Sequence, residues 1–349
     1  MLVNSLTLKD YRNYSSYSIE FNPHLNIIVG NNGTGKTNIL ESIIVVSNIK
    51  SFRTLNDKDL IQKDKEYLRI LLKSDTNIYK VVINSEGKSL FINDNPIKRT
   101  SEFIGKLNAI LFKPSDLELF NQSPSERRRL LDIEIGKISK KYLNDLNKYK
   151  YLLADKNKIL KDIEIDETLI NVIEESMISP IQTIIDEREK FFDIINSEIT
   201  NIYQSLSNSK DTVQIVYKKC CEKEDVKENI SKYKDKDKYY HYTTFGPHHD
   251  DYEFKYNNYD INSIASQGQK RMVLIAFKFA LIKYIEQNTN STPVVLLDDI
   301  LSELDKDNQE RLLNVIPKNA QVIITNTDIN NLNIKNEYKL IKLKEEEYV

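Results

Sequence analysis

The sequence predicts an α/β fold in two parts, a head whose own sequence is interrupted by an inserted helical arm, and three observations predict it. The first is the uninterrupted G-x-x-x-x-G-K-T run Gly30-Asn31-Asn32-Gly33-Thr34-Gly35-Lys36-Thr37, between the apolar stretch Leu25 to Val29 and the helical pattern Asn38 to Val46. The second is the near-continuous apolar segment from Pro293 to Leu297, which ends in Asp298 and Asp299. The third lies between them: two series of apolar residues spaced three or four apart, the pattern of long paired helices. The head is assigned to residues 1–112 and 213–349, and the arm to residues 113–212.

Each part has a chemical rationale. In a strand, glycine loop and helix, the glycines let backbone N–H groups close around phosphate oxygens, and the helix turns its positive end to the same anion. Lys36 would reach the β- and γ-phosphates, and the Thr37 hydroxyl would ligand Mg²⁺. The apolar run ending at Asp298 suits a parallel strand covered on both faces. Asp298 at its tip would bind the Mg²⁺, and Asp299 would orient or deprotonate the attacking water. ATP and Mg²⁺ are therefore the expected cofactors. More than two thirds of the chain separates Lys36 from Asp298, so a large insert divides the halves of the site.

Composition sets the bounds. The 349 residues allow about two domains, and Lys plus Arg, 50, nearly balances Asp plus Glu, 52, giving a net charge of −2. A basic surface for nucleic acid must therefore be local. Cys220 and Cys221 supply neither a zinc set nor a disulfide framework, which favours a reducing compartment, and no run is long and apolar enough for a membrane span. A cytoplasmic location without membrane contact is expected.

In chain order, Leu2 to Leu8 and Tyr17 to Phe21 alternate as half-buried strands around a turn from Arg12 to Ser16. Tyr67 to Leu72, Tyr79 to Ile83 and Ser89 to Ile92 read as an antiparallel meander, and Leu107 to Phe112 as a short strand stopped by Lys113-Pro114. Ser123-Pro124-Ser125-Glu126 opens the arm with a hydroxyl cap and a first-turn proline. Leu131 to Leu153 and Ile170 to Leu206 form its two helices, joined near Asp162 to Asp166, with Pro180 kinking the second. The same stripes also suit ordinary amphipathic helices of a compact domain. Val213 to Tyr217 reads as a returning strand, and Cys220 to Lys238 as a charged linker.

Ser266-Gln267-Gly268-Gln269 then opens a helix from Lys270 to about Ile285, and Ser302-Glu303-Leu304-Asp305 follows Asp299. An S-x-G-Q loop ahead of the acidic strand and S-x-L-D behind it is the arrangement of ABC-type ATPases. The fold class is therefore an α/β ABC-type (SMC/Rad50-like) P-loop ATPase head with an inserted helical arm domain. In such heads the serine loop of one subunit covers the γ-phosphate held by another, which makes ATP the bond of a dimer.

The chain as a whole resembles the RecF family of SMC-like bacterial recombination mediators. The resemblance rests on Tyr11-Arg12-Asn13-Tyr14, Gly30 to Leu40 with Lys36-Thr37-Asn38 and Glu41, and Ser51-Phe52-Arg53-Thr54. It continues through Ser123 to Arg128, Gly246-Pro247-His248-His249-Asp250-Asp251, Ser266 to Gln269 and Leu297 to Asp305. It implies ATP-dependent dimerisation on DNA, slow hydrolysis, and cooperation with RecO and RecR in loading RecA at gaps. It also implies that Arg12 lies by the nucleotide and that Ser266, Gly268 and Gln269 bridge to a partner's ATP. One departure is His249, where the family usually has arginine. A metal site at His248 to Asp251 is the alternative, disfavoured because neighbours on a strand point to opposite faces.

Residues 113–161 hold 12 Lys or Arg against 7 Asp or Glu. Arg127, Arg128, Arg129, Lys140 and Lys141 lead this stretch and are the candidate DNA contacts, by sequence-independent phosphate neutralisation. A solvated helix surface explains the same charges. The competing function is the nucleotide-binding subunit of an ABC transporter, and DNA-stimulated hydrolysis would tell the two apart. An ATP-dependent nuclease of the overcoagulation type is disfavoured, since only 44 residues follow Asp305.

Overall fold

The structure, a computed structural model, describes residues 1–329, 334 and 337–343. The chain forms two compact units, one of Met1–Leu117, Asn201–Lys210 and Arg271–Val349, the other of Glu118–Thr200 and Asp211–Lys270.

The first unit contains two sheets. One is antiparallel, with β1 (Val3–Tyr11), β2 (Tyr14–Glu20), β4 (Tyr67–Ser74), β5 (Ile78–Asn84), β6 (Lys88–Ile92) and β7 (Asn95–Pro96) in the order β2-β1-β4-β5-β6-β7. The other is parallel, with β3 (Leu25–Val29), β8 (Ala109–Phe112), β12 (Val294–Asp298), β13 (Val322–Asn326) and β14 (Lys339–Lys342) in the order β14-β3-β13-β12-β8. Helix α1 (Lys36–Asn48) touches strands of both sheets. This explains why it is apolar all round rather than striped: Ile39, Leu40, Ile43, Ile44, Val45 and Val46 are all buried. The short α2 (Thr100–Phe103) and α9 (Lys306–Val315) lie wholly within the unit, which also takes α8 (Gln267–Thr289) from Arg271 onward. The expected meander is present. The first hairpin is tighter than expected, since only Arg12 and Asn13 separate β1 from β2.

The second unit pairs helices with a small sheet. Helix α3 (Pro124–Ile138) opens with a full capping box between Ser123 and Glu126. The first arm helix is not continuous, as the apolar spacing suggests, but breaks at Ser139. Its N–H closes α3 on the Ile135 carbonyl at 2.8 Å, and its hydroxyl accepts from the Tyr142 N–H at 3.1 Å to open α4 (Lys140–Ile159). Helix α5 (Glu167–Ser207) runs on past the buried Pro180.

Two expectations are corrected here. Residues 220–238 are not a linker: they contain α6 (Val226–Tyr240), which buries only Val226, Ile230 and Asp237 and is tied by Lys234 and Lys238 to Glu167. With so little apolar surface it leaves no periodic signal. The return to the head does not come at residue 213 either. Strand β9 (Val213–Lys218) pairs with β10 (Asp251–Tyr256), which also carries β11 (Tyr259–Asp260), in a three-stranded antiparallel sheet. Residues 211–270 therefore belong to the second unit, and the chain rejoins the first at Arg271. The one-turn α7 (Ile261–Ile264) precedes α8 (Gln267–Thr289).

Candidate functional site

The glycine loop connects β3 to α1 at the carboxyl end of the parallel sheet, where ligands of open α/β sheets bind. Gly35, which caps α1, has φ +93°, and a Cβ there would stand 2.5 Å from the Tyr14 hydroxyl oxygen. A Cβ on Gly30 would stand 2.7 Å from Thr34 Oγ1. The loop is closed by its own lysine: Lys36 Nζ donates to the carbonyls of Gly30 (2.6 Å) and Asn31 (2.9 Å). Burial lowers the Lys36 pKa, against the pull of Asp299 and Asp298. Asn31, Asn32 and Gly33 form the exposed crest.

Asp298 meets this loop from β12. Its Oδ1 accepts from Thr37 Oγ1 at 3.1 Å and from Thr325 Oγ1, on the neighbouring β13, at 2.7 Å. Burial raises the Asp298 pKa, and the two hydroxyls oppose the shift. Asp299 sits at φ +52°, its N–H donating to the carbonyl (3.3 Å) and hydroxyl (3.1 Å) of Thr325. Its buried Oδ1 has no partner among the described residues.

Sequence reasoning does not foresee how three motifs converge on the first turns of α1. Arg12, at φ +53°, grips the fully buried Glu41 with two hydrogen bonds, Nε to Oε2 at 3.0 Å and Nη2 to Oε1 at 2.7 Å. Ser51 Oγ donates to the same carboxylate at 2.5 Å. Arg53 Nη1 donates to Asn38 Oδ1 (2.7 Å), and Asn38 Nδ2 donates to Asn13 Oδ1 (2.6 Å). Charge complementarity with Glu41 is the available signal. It has no fixed spacing, and the partners lie 29 residues apart.

In the second unit, Ser266 and Gln269 cap α8 reciprocally. The Ser266 N–H donates to Gln269 Oε1 at 2.8 Å, and the Gln269 N–H donates to Ser266 Oγ at 3.2 Å. Ser266, Gln267 and Gly268 are exposed, and the nearest atom to a Cβ on Gly268 would be Ser266 Oγ at 4.0 Å.

The basic stretch divides. Arg127 is not free for phosphate: it forms a two-point pair with Asp251, Nε to Oδ1 at 2.8 Å and Nη2 to Oδ2 at 2.6 Å. Arg128 Nη1 donates to the Asp250 carbonyl at 2.7 Å. Lys156 is buried between Glu174 (2.7 Å) and Asp237 (2.8 Å), and Lys150 pairs with Asp132. Arg129, Lys140, Lys141, Lys148, Lys158 and Lys161 are exposed, and no carboxylate pairs with them among the described residues.

His248 and His249 lie on a 3₁₀ turn, not a strand, so both rings face one way and contact the Thr243 carbonyl, at 3.1 and 3.4 Å. The Tyr149 hydroxyl bonds His248 Nδ1, and burial lowers the His248 pKa to about 4. Asp250 Oδ2 accepts from the fully buried Arg188 (2.6 Å) and from Tyr217 (2.5 Å). This is a structural knot, and no set of three or more His, Cys, Asp or Glu able to hold a metal occurs among the described residues.

Comparison with known proteins finds relatives over the whole length of the chain. Residues 2–348 match the family model RecF/RecN/SMC N terminal domain. The DNA replication and repair protein RecF of Acholeplasma laidlawii is 36% identical over 93% of both chains, and that of Staphylococcus aureus strain JH9 is 33% identical over 100% of both. Among solved structures, the recombination mediator protein RecF with ATP, of the RecFOR pathway, superposes with a TM-score of 0.87 at 29% identity, covering 95% of this chain and 93% of that one. An Smc head domain from Pyrococcus furiosus, at 21% identity and a TM-score of 0.55, shares the fold alone. The chain belongs to the RecF family.

Proposed function

We propose that this chain is an ATP-driven DNA replication and repair protein whose heads close in pairs on ATP at DNA gaps, hydrolyse it slowly, and assist RecA loading together with RecR and RecO. The observation that carries the reading is the contact of Thr37 with Asp298, which brings the phosphate loop to the acidic strand. A RecF protein aligns with it across the full length at 33% identity, and a solved RecF relative holds ATP.

The residues fit Mg²⁺. Thr37 and Asp298 offer adjacent oxygen donors, and Asp298 is buried with only hydroxyls around its Oδ1, an arrangement that a hard cation would stabilise. Bound there, Mg²⁺ would supply neutralisation of phosphate charge. Lys36 exchanges its two loop carbonyls for phosphate oxygens, and the backbone N–H groups around Gly33 and Gly35 hold the rest. Asp299 takes the proton of the attacking water. The water oxygen bonds phosphorus as the bond to the bridging oxygen breaks, and ADP leaves with that electron pair. The exposed Ser266 and Gly268, with the half-buried Gln269 beside them, face a partner's nucleotide. Gly268, which no packing requires, leaves that surface open to close approach. Arg129, Lys140 and Lys141 contact DNA phosphates.

Sedimentation of the purified protein with and without Mg-ATP, alone and on gapped duplex at two salt concentrations, tests the reading. A nucleotide-dependent dimer, promoted by DNA and weakened by salt, is the expected result, absent in Lys36→Ala and long-lived in Asp299→Asn. A monomer indifferent to ATP and DNA would overturn it.

A further inference from the structure

The carboxyl end of α6 carries an aromatic patch that no role described so far uses. Tyr239, Tyr240 and Tyr242 are 78%, 50% and 47% exposed. Single apolar side chains at a surface need no explanation, but here three large rings fall within four residues and gather outside the core. The Tyr239 and Tyr240 rings meet edge to face with centroids 5.1 Å apart, and those of Tyr240 and Tyr242 lie 5.9 Å apart.

The turn that presents them is fixed. His241 caps α6 in the left-handed conformation, φ +58°, which a residue other than glycine keeps only where its surroundings impose it. Its Nδ1 donates to the Leu160 carbonyl at the end of α4 (2.8 Å). The Thr243 N–H and hydroxyl both donate to Asn157 Oδ1 (2.7 and 2.8 Å), and those of Thr244 both donate to the buried Asp237 (2.7 and 2.6 Å). A surface held this way has already lost the freedom that a ligand would otherwise have to remove.

Lysines edge the patch from both helices. Lys236, one turn before Tyr240, is exposed and has no carboxylate partner among the described residues, whereas Lys234 and Lys238 are tied to Glu167. On the α4 side, the exposed Lys158 and Lys161 adjoin Asn157 and Leu160, the residues that anchor the turn. The exposed Asp235 and Asp162 moderate this charge, so the surface is aromatic with basic edges rather than a phosphate groove. That combination suits a single strand of nucleic acid, whose bases offer their faces to aromatic rings and whose phosphates take the cations. A duplex hides those faces in its own stack.

We propose that Tyr239, Tyr240 and Tyr242 form a base-stacking site for single-stranded DNA, with Lys236, Lys158 and Lys161 on its phosphates. The choice of DNA rests on the reading above, but the site is separate from Lys140 and Lys141. Those two open α4, and Lys158 stands about 26 Å further along it. A gapped substrate offers duplex and single strand at once.

The test uses the full-length protein. The chain has no tryptophan, so Tyr240→Trp places a single reporter in the patch. Its fluorescence should be quenched by an oligothymidylate of about 12 nucleotides and left unchanged by a blunt duplex of equal length. Tyr239→Ala with Tyr240→Ala should weaken oligothymidylate binding by about tenfold or more, at high salt as well as low, with duplex binding and melting temperature as in wild type. Phenylalanine at both positions keeps the rings and should keep the affinity. Absence of quenching, unchanged oligothymidylate affinity in the alanine variant, or equal losses for single strand and duplex would overturn the site. Wild-type protein that binds neither DNA would instead remove the DNA-binding reading itself.

Discussion

Thr37 and Asp298 lie 261 residues apart in sequence and 3.1 Å apart in space, and Thr325 completes the contact by donating to the same carboxylate oxygen at 2.7 Å. Two hydroxyls thus hold a buried carboxylate at the point where the glycine loop meets the acidic strand. That anion is costly without a cation.

Asp298→Asn should therefore separate stability from function. Burial raises the folded-state pKa of Asp298, so its contribution is fully favourable only below the unfolded pKa and is lost as pH rises through the folded value. Near neutral pH, the nucleotide-free Asn variant should be more stable than wild type by about 1 kcal/mol, with Mg²⁺-dependent ATP binding abolished. Urea unfolding at pH 5 and pH 7.5, with and without Mg-ATP, checks both halves.

The His248 pKa moves the other way, down to about 4. The folded protein then binds fewer protons than the unfolded chain between about pH 6.5 and 4. Stability present above this window is lost as pH falls through it. Acidification from pH 7 to 5 should cost about 2 kcal/mol at this site, and His248→Gln should remove most of that dependence. Tyrosine fluorescence melts across pH read the difference.

Arg127 and the pair Lys140 and Lys141 should fail in different ways. Arg127→Ala breaks a half-buried two-point ion pair with Asp251 and should cost about 2 kcal/mol of stability, with the salt dependence of DNA binding unchanged. Lys140→Glu with Lys141→Glu should leave stability within about 0.5 kcal/mol and lower the salt slope by about one for each phosphate no longer neutralised. Fluorescence anisotropy of labelled gapped duplex over a salt series distinguishes them.

Two glycines give a third contrast. Gly35→Ala forces a Cβ to 2.5 Å from the Tyr14 hydroxyl at φ +93°, and should both destabilise the head and abolish ATP binding. Gly268→Val meets open space, so the monomer should melt as wild type does while ATP-dependent dimerisation falls at least tenfold. Sedimentation velocity beside a melting curve is sufficient to show it.

What is legible in the sequence follows from range. The phosphate loop, its flanking strand and helix, the acidic strand and the Ser123 cap are all signalled within a few residues of themselves. The Ser139 break escapes notice because Ile135 and Tyr142 keep a helical spacing across it, although the serine that ends one helix and caps the next is in plain view. Strand β9 reads correctly as a strand but falls in the wrong sheet, since alternation reports a buried face and says nothing about which neighbour covers it. The pairings of Arg127 with Asp251 and of Arg12 with Glu41 join distant residues, and charge alone does not choose partners. Helix α6, held largely by ion pairs, has too little apolar surface to be heard.

The parallel sheet also dictates a timetable. Strand β3 emerges early in synthesis, but its neighbour β13 follows some 296 residues later, a delay of roughly 15 to 60 seconds at bacterial elongation rates. Through most of that interval the acidic strand has not been made, and the apolar run Leu25 to Val29 has no strand on either side of it. The second unit, whose β9 and β10 lie close together in sequence, can finish folding on the ribosome first.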